Sequence, residues 1–109
     1  MNKKFIIKKN EEIQNIIKVS KKIVNNYFII YYLKNNYSYN RYCISVSKKI
    51  GKAHTRNLFK RRIKDILMKL EYNNSFDYVI ILRKSIIDLK YDDIKNELLL
   101  IMKGEKNEK

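Results

Sequence analysis

Ser45-Val46-Ser47-Lys48-Lys49-Ile50-Gly51-Lys52-Ala53-His54-Thr55-Arg56-Asn57-Leu58-Phe59-Lys60-Arg61-Arg62-Ile63-Lys64 is the stretch on which the fold turns. Its first residues close an alternating run, 41–47, with Tyr42, Ile44 and Val46 on one face and Arg41, Cys43, Ser45 and Ser47 on the other. A period of two is that of a half-buried strand. Gly51 punctuates the chain and the period then changes. Phe59, Ile63, Ile66, Leu67 and Leu70 recur at helical spacing and fall within a sector of about 100°. Thr55 is the expected cap of this helix. Asn57, Lys60, Arg61 and Lys64 fill a neighbouring sector of about the same width. One helix therefore offers an apolar face to a core and a basic edge to a partner. Lys48, Lys49 and Lys52 extend the charge into the preceding loop, where a helix start adds backbone N–H groups that favour phosphate. The basic edge carries no acid until Asp65, which lies off it, so ion-pair lacing does not explain the edge.

Upstream, residues 27–33 are consecutive apolar or aromatic strand formers. Residues 34–40 are rich in Asn and Ser, the chemistry of a turn, so 27–33 and 41–47 are expected to pair as a hairpin. Ile23 and Val24 start a short strand before them. A first helix is expected after Asn10 as N-cap, with Glu11 and Glu12 at its positive end and Ile13, Ile16 and Ile17 on one face. Downstream, 71–76 reads as a loop. The apolar run 78–82, bounded by Asp77 and Arg83, fits a strand covered on both faces in mid-sheet. A last helix spans about 92–103, led by acids, lined by Ile94, Leu98, Ile101 and Met102 and capped by Gly104. The order α-β-β-β-α-β-α is an α+β fold, with helices packed on one small sheet. The whole chain, 1–109, is expected to form one domain, with about 1–9 and 104–109 flexible.

The balance of 25 Lys+Arg against 11 Asp+Glu gives a net charge of +14, a potential that attracts polyanions. A/T-rich coding would supply Lys, Asn, Ile and Tyr, but not the clustering of Arg. An anionic membrane is the least favoured partner, because the core needs the apolar face of the basic helix. No run approaches the ~18 apolar residues of a membrane span, and Phe5-Ile6-Ile7 is too short for a signal peptide. The single cysteine, Cys43, permits no intrachain disulfide and suits a reducing, cytoplasmic setting. Catalytic constellations are missing from the pattern. His54, the only histidine, sits in a loop; Cys43 reads as a packing residue; a zinc set needs about four ligands. The only glycines, Gly51 and Gly104, make no phosphate loop. The chain by itself is expected to be no catalyst and to bind no cofactor. Tyr27, Phe28, Tyr31, Tyr32, Tyr37, Tyr39 and Tyr42 cluster on or beside two strands, most of them for the core and some able to stack unpaired bases. Aromatics on a sheet beside a basic helix suit single-stranded RNA.

Ser45-Val-Ser-Lys-Lys-Ile-Gly51, followed by Arg56-Asn57-x-x-Lys60-Arg61, resembles the signature of the bacterial ribonuclease P protein subunit. Lys8-Lys9-Asn10-Glu11, Phe28 to Leu33, Asp77-Tyr78-Val-Ile-Ile with Arg83-Lys84, and Leu89-x-Tyr91 extend the match in order. The resemblance implies a mixed four-stranded sheet with a left-handed β-α-β crossover through the basic helix. It implies partnership with ribonuclease P RNA, which catalyses with Mg²⁺ while the protein binds no metal, and with precursor tRNA, whose 5′ leader is removed. No membrane and no obligate protein partner is implied. Arg56, Asn57, Lys60, Arg61 and Lys64 match the family's RNA-contacting helix, to which Lys48, Lys49, Lys52 and Arg62 add charge. Tyr31 matches an aromatic of the leader cleft, where Ile13 and Ile17 stand at positions that are often aromatic. The family's usual second Arg after Arg-Asn is Leu58 here, and Arg62, one turn on, can replace its charge. The alternatives are a small ribosomal-type RNA-binding protein and a helix-in-groove DNA-binding protein, the latter opposed by the lack of a second short helix before Arg56.

Overall fold

The computed structural model describes residues 2–70 and 75–107, the last five of these by backbone alone. Three helices, α1 (Asn10–Val19), α2 (Ala53–Lys69) and α3 (Tyr91–Asn107), pack on four strands, β1 (Lys21–Val24), β2 (Phe28–Lys34), β3 (Arg41–Val46) and β4 (Phe76–Leu82). The order is the one the periodicities predict. The sheet order is β1-β2-β4-β3, with β3 and β4 parallel and the other pairs antiparallel.

That order corrects the expected hairpin. β2 and β3 are consecutive in sequence but do not pair; β4 lies between them and bonds to both. The reason lies in burial. Tyr78, Val79 and Ile80 are each 1% exposed, so this strand needs cover on both faces and neighbours on both edges. β1, with Lys21 and Lys22 exposed, stands at one edge, where charge discourages further pairing. β3 stands at the other edge.

Two clusters fill the two faces of the sheet. On one, Phe28, Ile30, Tyr32, Tyr42, Tyr78, Ile80 and Leu82 meet Phe59, Ile63, Ile66 and Leu67 of α2 and Ile94, Leu98, Ile101 and Met102 of α3. The rings of Tyr42 and Tyr78 stack there at 5.6 Å, and Phe76 continues the row. On the other, Ile16 of α1 and Val79 join Ile7, with Ile13, Ile17, Tyr31, Leu33, Cys43 and Ile81 packed around them. Tyr91 of α3 donates its hydroxyl to Asp65 of α2, which also pairs with Lys69 at 3.1 Å and so ties the two helices.

Several termini differ from expectation. Asn10 is the first helical residue of α1, and Lys9 holds the capping position without a side-chain bond. Thr55 lies inside the first turn of α2; Lys52 precedes the helix, again without a side-chain cap. Gly51 has φ of 151°, and a Cβ there would meet the Thr55 side chain at 3.3 Å, so the turn into α2 calls for glycine. α3 runs through Gly104 to Asn107, so Gly104 does not end it. The stretch 1–9, read as flexible, includes the turn Lys3–Phe5 and Ile7, which is 2% exposed and bonds by its N–H to the Tyr42 carbonyl at 2.8 Å. Met1, most of the loop read at 71–76, and 108–109 lie outside the described residues.

Candidate nucleic-acid interface

α2 follows the strand edge at β3 through a short 3-10 turn, Lys48–Ile50, whose Ile50 is buried as an anchor. Lys48, Lys49 and Lys52 are exposed around it. On α2 itself, burial of Phe59, Ile63, Ile66 and Leu67 fixes the helix rotation and leaves Asn57, Lys60 and Arg61 exposed. Lys64 is half-buried beside Lys60. The structure thus gathers the residues of the basic edge as the sequence reading had them.

Two members behave differently. Arg56 falls on the apolar side of the wheel, is half-buried, and its Nε is buried with no hydrogen-bond partner among the described residues. Arg62 is half-buried, with its guanidinium over the Phe59 ring at 5.2 Å. The ring gives the cation a favourable seat one turn back toward the helix start.

Among the described residues, the ion pairs use Arg41 and Lys69 alone as cations. Lys48, Lys49, Lys52, Arg56, Lys60, Arg61, Arg62 and Lys64 have no carboxylate partner there. Acids that could have neutralised them are engaged elsewhere: Glu12 and Asp77 with Arg41, Asp65 with Tyr91 and Lys69. Unpaired like charges on one edge attract a polyanion and release its counterions on contact.

The opposite face of the sheet carries the second candidate surface. Ile13 and Ile17 of α1 and Tyr31 of β2, predicted as a cleft, do come together in the cluster around Ile7, Ile16 and Val79. Strand register sets Tyr31, Val79 and Cys43 in one row across β2, β4 and β3. Burial pushes the Cys43 thiol up from its ordinary pKa, with the nearby Lys60 charge opposing. It serves as the packing residue the sequence reading expected.

An ion network missed by that reading holds α1 over this face. Arg41 Nε donates to Asp77 Oδ1 at 2.9 Å, and Nη2 donates to Asp77 Oδ2 at 2.7 Å and to Glu12 Oε2 at 2.9 Å. Asn35 Nδ2 donates to Asp77 Oδ1 at 2.8 Å, and the guanidinium stacks on Tyr37 at 4.6 Å. Hydrogen bonding to Asp77, with Glu12 adding and burial opposing, raises the Arg41 pKa above its ordinary value. Only the Arg41–Asp77 register creates the pair, and 36 residues separate the partners, so no local sequence signal could have found it.

His54 is exposed in the first turn of α2. Among the described residues, no group of three or more His, Cys, Asp or Glu could hold a metal ion, and no helix is long and apolar enough to cross a membrane.

The fold and these surfaces define a small cationic α+β protein with, on one side of its sheet, a basic helix edge that has no ion-pair partner among the described residues and, on the other, an apolar cluster under α1. The chain belongs to the ribonuclease P protein family, whose members are protein components of a tRNA-processing enzyme: the family model described as Ribonuclease P matches residues 1–105. It is 46% identical over 107 residues to the ribonuclease P protein component of Mycoplasma mycoides subsp. mycoides, covering 94% of this chain and 97% of that one. Among solved structures, the RNase P protein of Staphylococcus aureus is similar with a TM-score of 0.85 and 33% identity, over 94% of this chain and 95% of that one. The RNase P protein of Thermotoga maritima matches with a TM-score of 0.81 and 29% identity, over 87% of this chain and 92% of the other. Membership in this family replaces the ribosomal-type alternative.

Proposed function

We propose that the chain binds ribonuclease P RNA along the basic edge of α2 and the turn before it, and receives the single-stranded 5′ leader of precursor tRNA in the cleft of Ile13, Ile17 and Tyr31. The RNA performs the cleavage with Mg²⁺, and the protein, which binds no metal or other cofactor itself, positions RNA and substrate. The observation that carries this reading is the division of α2: one sector is sealed into the core, while Asn57, Lys60 and Arg61 are left exposed, the two cations with no ion-pair partner among the described residues. Lys48, Lys49, Lys52 and Lys64 extend that edge, with Arg56 and Arg62 at its margins. Phosphate contacts of this kind supply affinity without sequence preference, while an aromatic beside aliphatic side chains suits bases free to stack.

Ile13 and Ile17 give less stacking than aromatic rings would, so Tyr31 carries most of the leader preference. The setting is cytoplasmic, in keeping with the unpaired thiol of Cys43. No obligate protein partner and no membrane is needed for the RNA and leader contacts, and 1–109 act as one domain.

Reconstitution tests the reading. Purified protein is mixed with a bacterial ribonuclease P RNA and a precursor tRNA at Mg²⁺ too low for the RNA alone. Cleavage at the mature 5′ end should appear only with both components. Cleavage of precursor by the RNA-free protein, or no rescue of the RNA, would refute it.

A further inference from the structure

β3 is an edge strand with partial cover. The bridge from Ile6 to Tyr42 attaches the N-terminal segment to its first half. A groove of about 520 Å³ opens where this segment, β3 and α2 meet, within the range of about 300–1,000 Å³ typical of ligand clefts. Lys3 and Lys8 come to it from the N-terminal segment and Lys60 and Lys64 from α2, with Ile7 and Cys43 also lining it. None of the four lysines has an ion pair among the described residues. Four like charges around one opening repel each other, and an anion threaded between them relieves that repulsion.

The groove shares part of its lining with the cluster that holds the proposed leader residues. Ile7 and Cys43 belong equally to the cluster of Ile13, Ile17 and Tyr31. Cys43 is the last member of the row Tyr31, Val79, Cys43, two strands from Tyr31 and so roughly 10 Å away. Tyr31 and Cys43 are partly exposed at the two ends of that row, with buried Val79 between them, and unpaired cations lie beyond Cys43; a stacking residue followed by phosphate-holding cations suits a single-stranded nucleic acid.

We propose that the groove is the exit of the leader site: the single-stranded leader passes Tyr31 and Cys43 and leaves between Lys3 and Lys8 on one side and, on the other, Lys60 and Lys64, the flank of the basic edge that faces β3 and where leader and ribonuclease P RNA meet. This makes the N-terminal segment, outside the basic motif of α2, part of the substrate site. It rests on the reading of the cleft as the leader site. The backbone of ribonuclease P RNA offers the same phosphate chemistry, so the test must separate the two.

Cys43, the only cysteine, is a built-in reporter. Its alkylation by iodoacetamide is timed at fixed pH in the full-length protein alone, with ribonuclease P RNA, and with that RNA plus mature or precursor tRNA, in Ca²⁺ to slow cleavage. Precursor should slow alkylation several-fold relative to mature tRNA. In parallel, Lys3→Ala/Lys8→Ala should lower the salt slope of precursor affinity by about 1.4 units, two single-strand contacts at roughly 0.7 each, and leave that of mature tRNA unchanged. Both substitutions are at exposed positions and remove no core contact. Full protection by ribonuclease P RNA alone would give the groove to that RNA and overturn the leader assignment. Equal rates with mature and precursor tRNA, with both bound, would overturn it too. A protein that binds none of these RNAs would overturn the functional reading beneath it, and this one with it.

Discussion

Asp77→Asn is the sharpest test of how the fold holds α1 over the sheet. The Arg41 and Asp77 side chains are 11% and 9% exposed, whereas Glu12, the other partner of Arg41, is 38% exposed. Asn keeps the shape but loses the charge, and its amide group is a donor where Asp77 offers an acceptor to Arg41 or Asn35. Breaking a buried pair from one side destabilises by about 3–5 kcal/mol, because the remaining charge stays buried. Glu12 still compensates in part, which places this variant near the lower end, about 3 kcal/mol. At roughly 4 °C or more per kcal/mol for a domain near this size, Tm should fall by about 12 °C or more. Urea unfolding followed by circular dichroism at neutral pH measures the difference. Because the same guanidinium holds Glu12 of α1, the preference for precursor over mature tRNA should fall as well. Glu12→Gln is the companion: as a partly exposed partner it should alter stability by only about 0–1 kcal/mol yet still loosen α1. An Asp77→Asn variant within about 0.5 kcal/mol of the parent, the range of inconsequential surface changes, would refute the buried-pair argument.

Tyr31→Ala should weaken precursor binding by about 1 kcal/mol or more and spare mature tRNA, as measured by direct titration; equal losses would make Tyr31 a core residue only. Affinity for ribonuclease P RNA should fall with salt at a log–log slope of about −3 to −7, and Lys60→Ala or Arg61→Ala should each reduce that slope by about one unit. Arg62→Leu should cost about 1 kcal/mol of RNA affinity, recovered by adding Leu58→Arg; undiminished binding would show that Arg62 replaces nothing. Tyr91's hydroxyl, then Lys69, hold the Asp65 carboxyl below the usual range. Its contribution is therefore complete above the ordinary carboxylate pKa and lost as pH falls through the lowered one. Asp65→Asn should flatten the acid limb of a urea-midpoint profile, and an unchanged limb would exclude the link.

Much of this protein is local in origin. The 3.6-residue period of Phe59, Ile63, Ile66 and Leu67 fixes which face of α2 is buried, and with it which lysines are exposed. The basic motif was legible for that reason, as was the central strand, whose unbroken run from Tyr78 to Leu82 requires cover on both faces. Strand partners were not legible. The turn-rich 34–40 suggested a hairpin, but β4 lies between β2 and β3 and bonds to both. Local chemistry can mark a turn; it cannot rank a neighbour against a strand more than 30 residues away. The Arg41–Asp77 pair, the row from Tyr31 to Cys43 and the groove between Lys3, Lys8, Lys60 and Lys64 all follow from that one choice of neighbour. Periodicity settles what each element buries, because a side chain's direction is set by its own backbone. Which elements meet is settled only when their buried faces compete for one another, and that competition belongs to the folded chain.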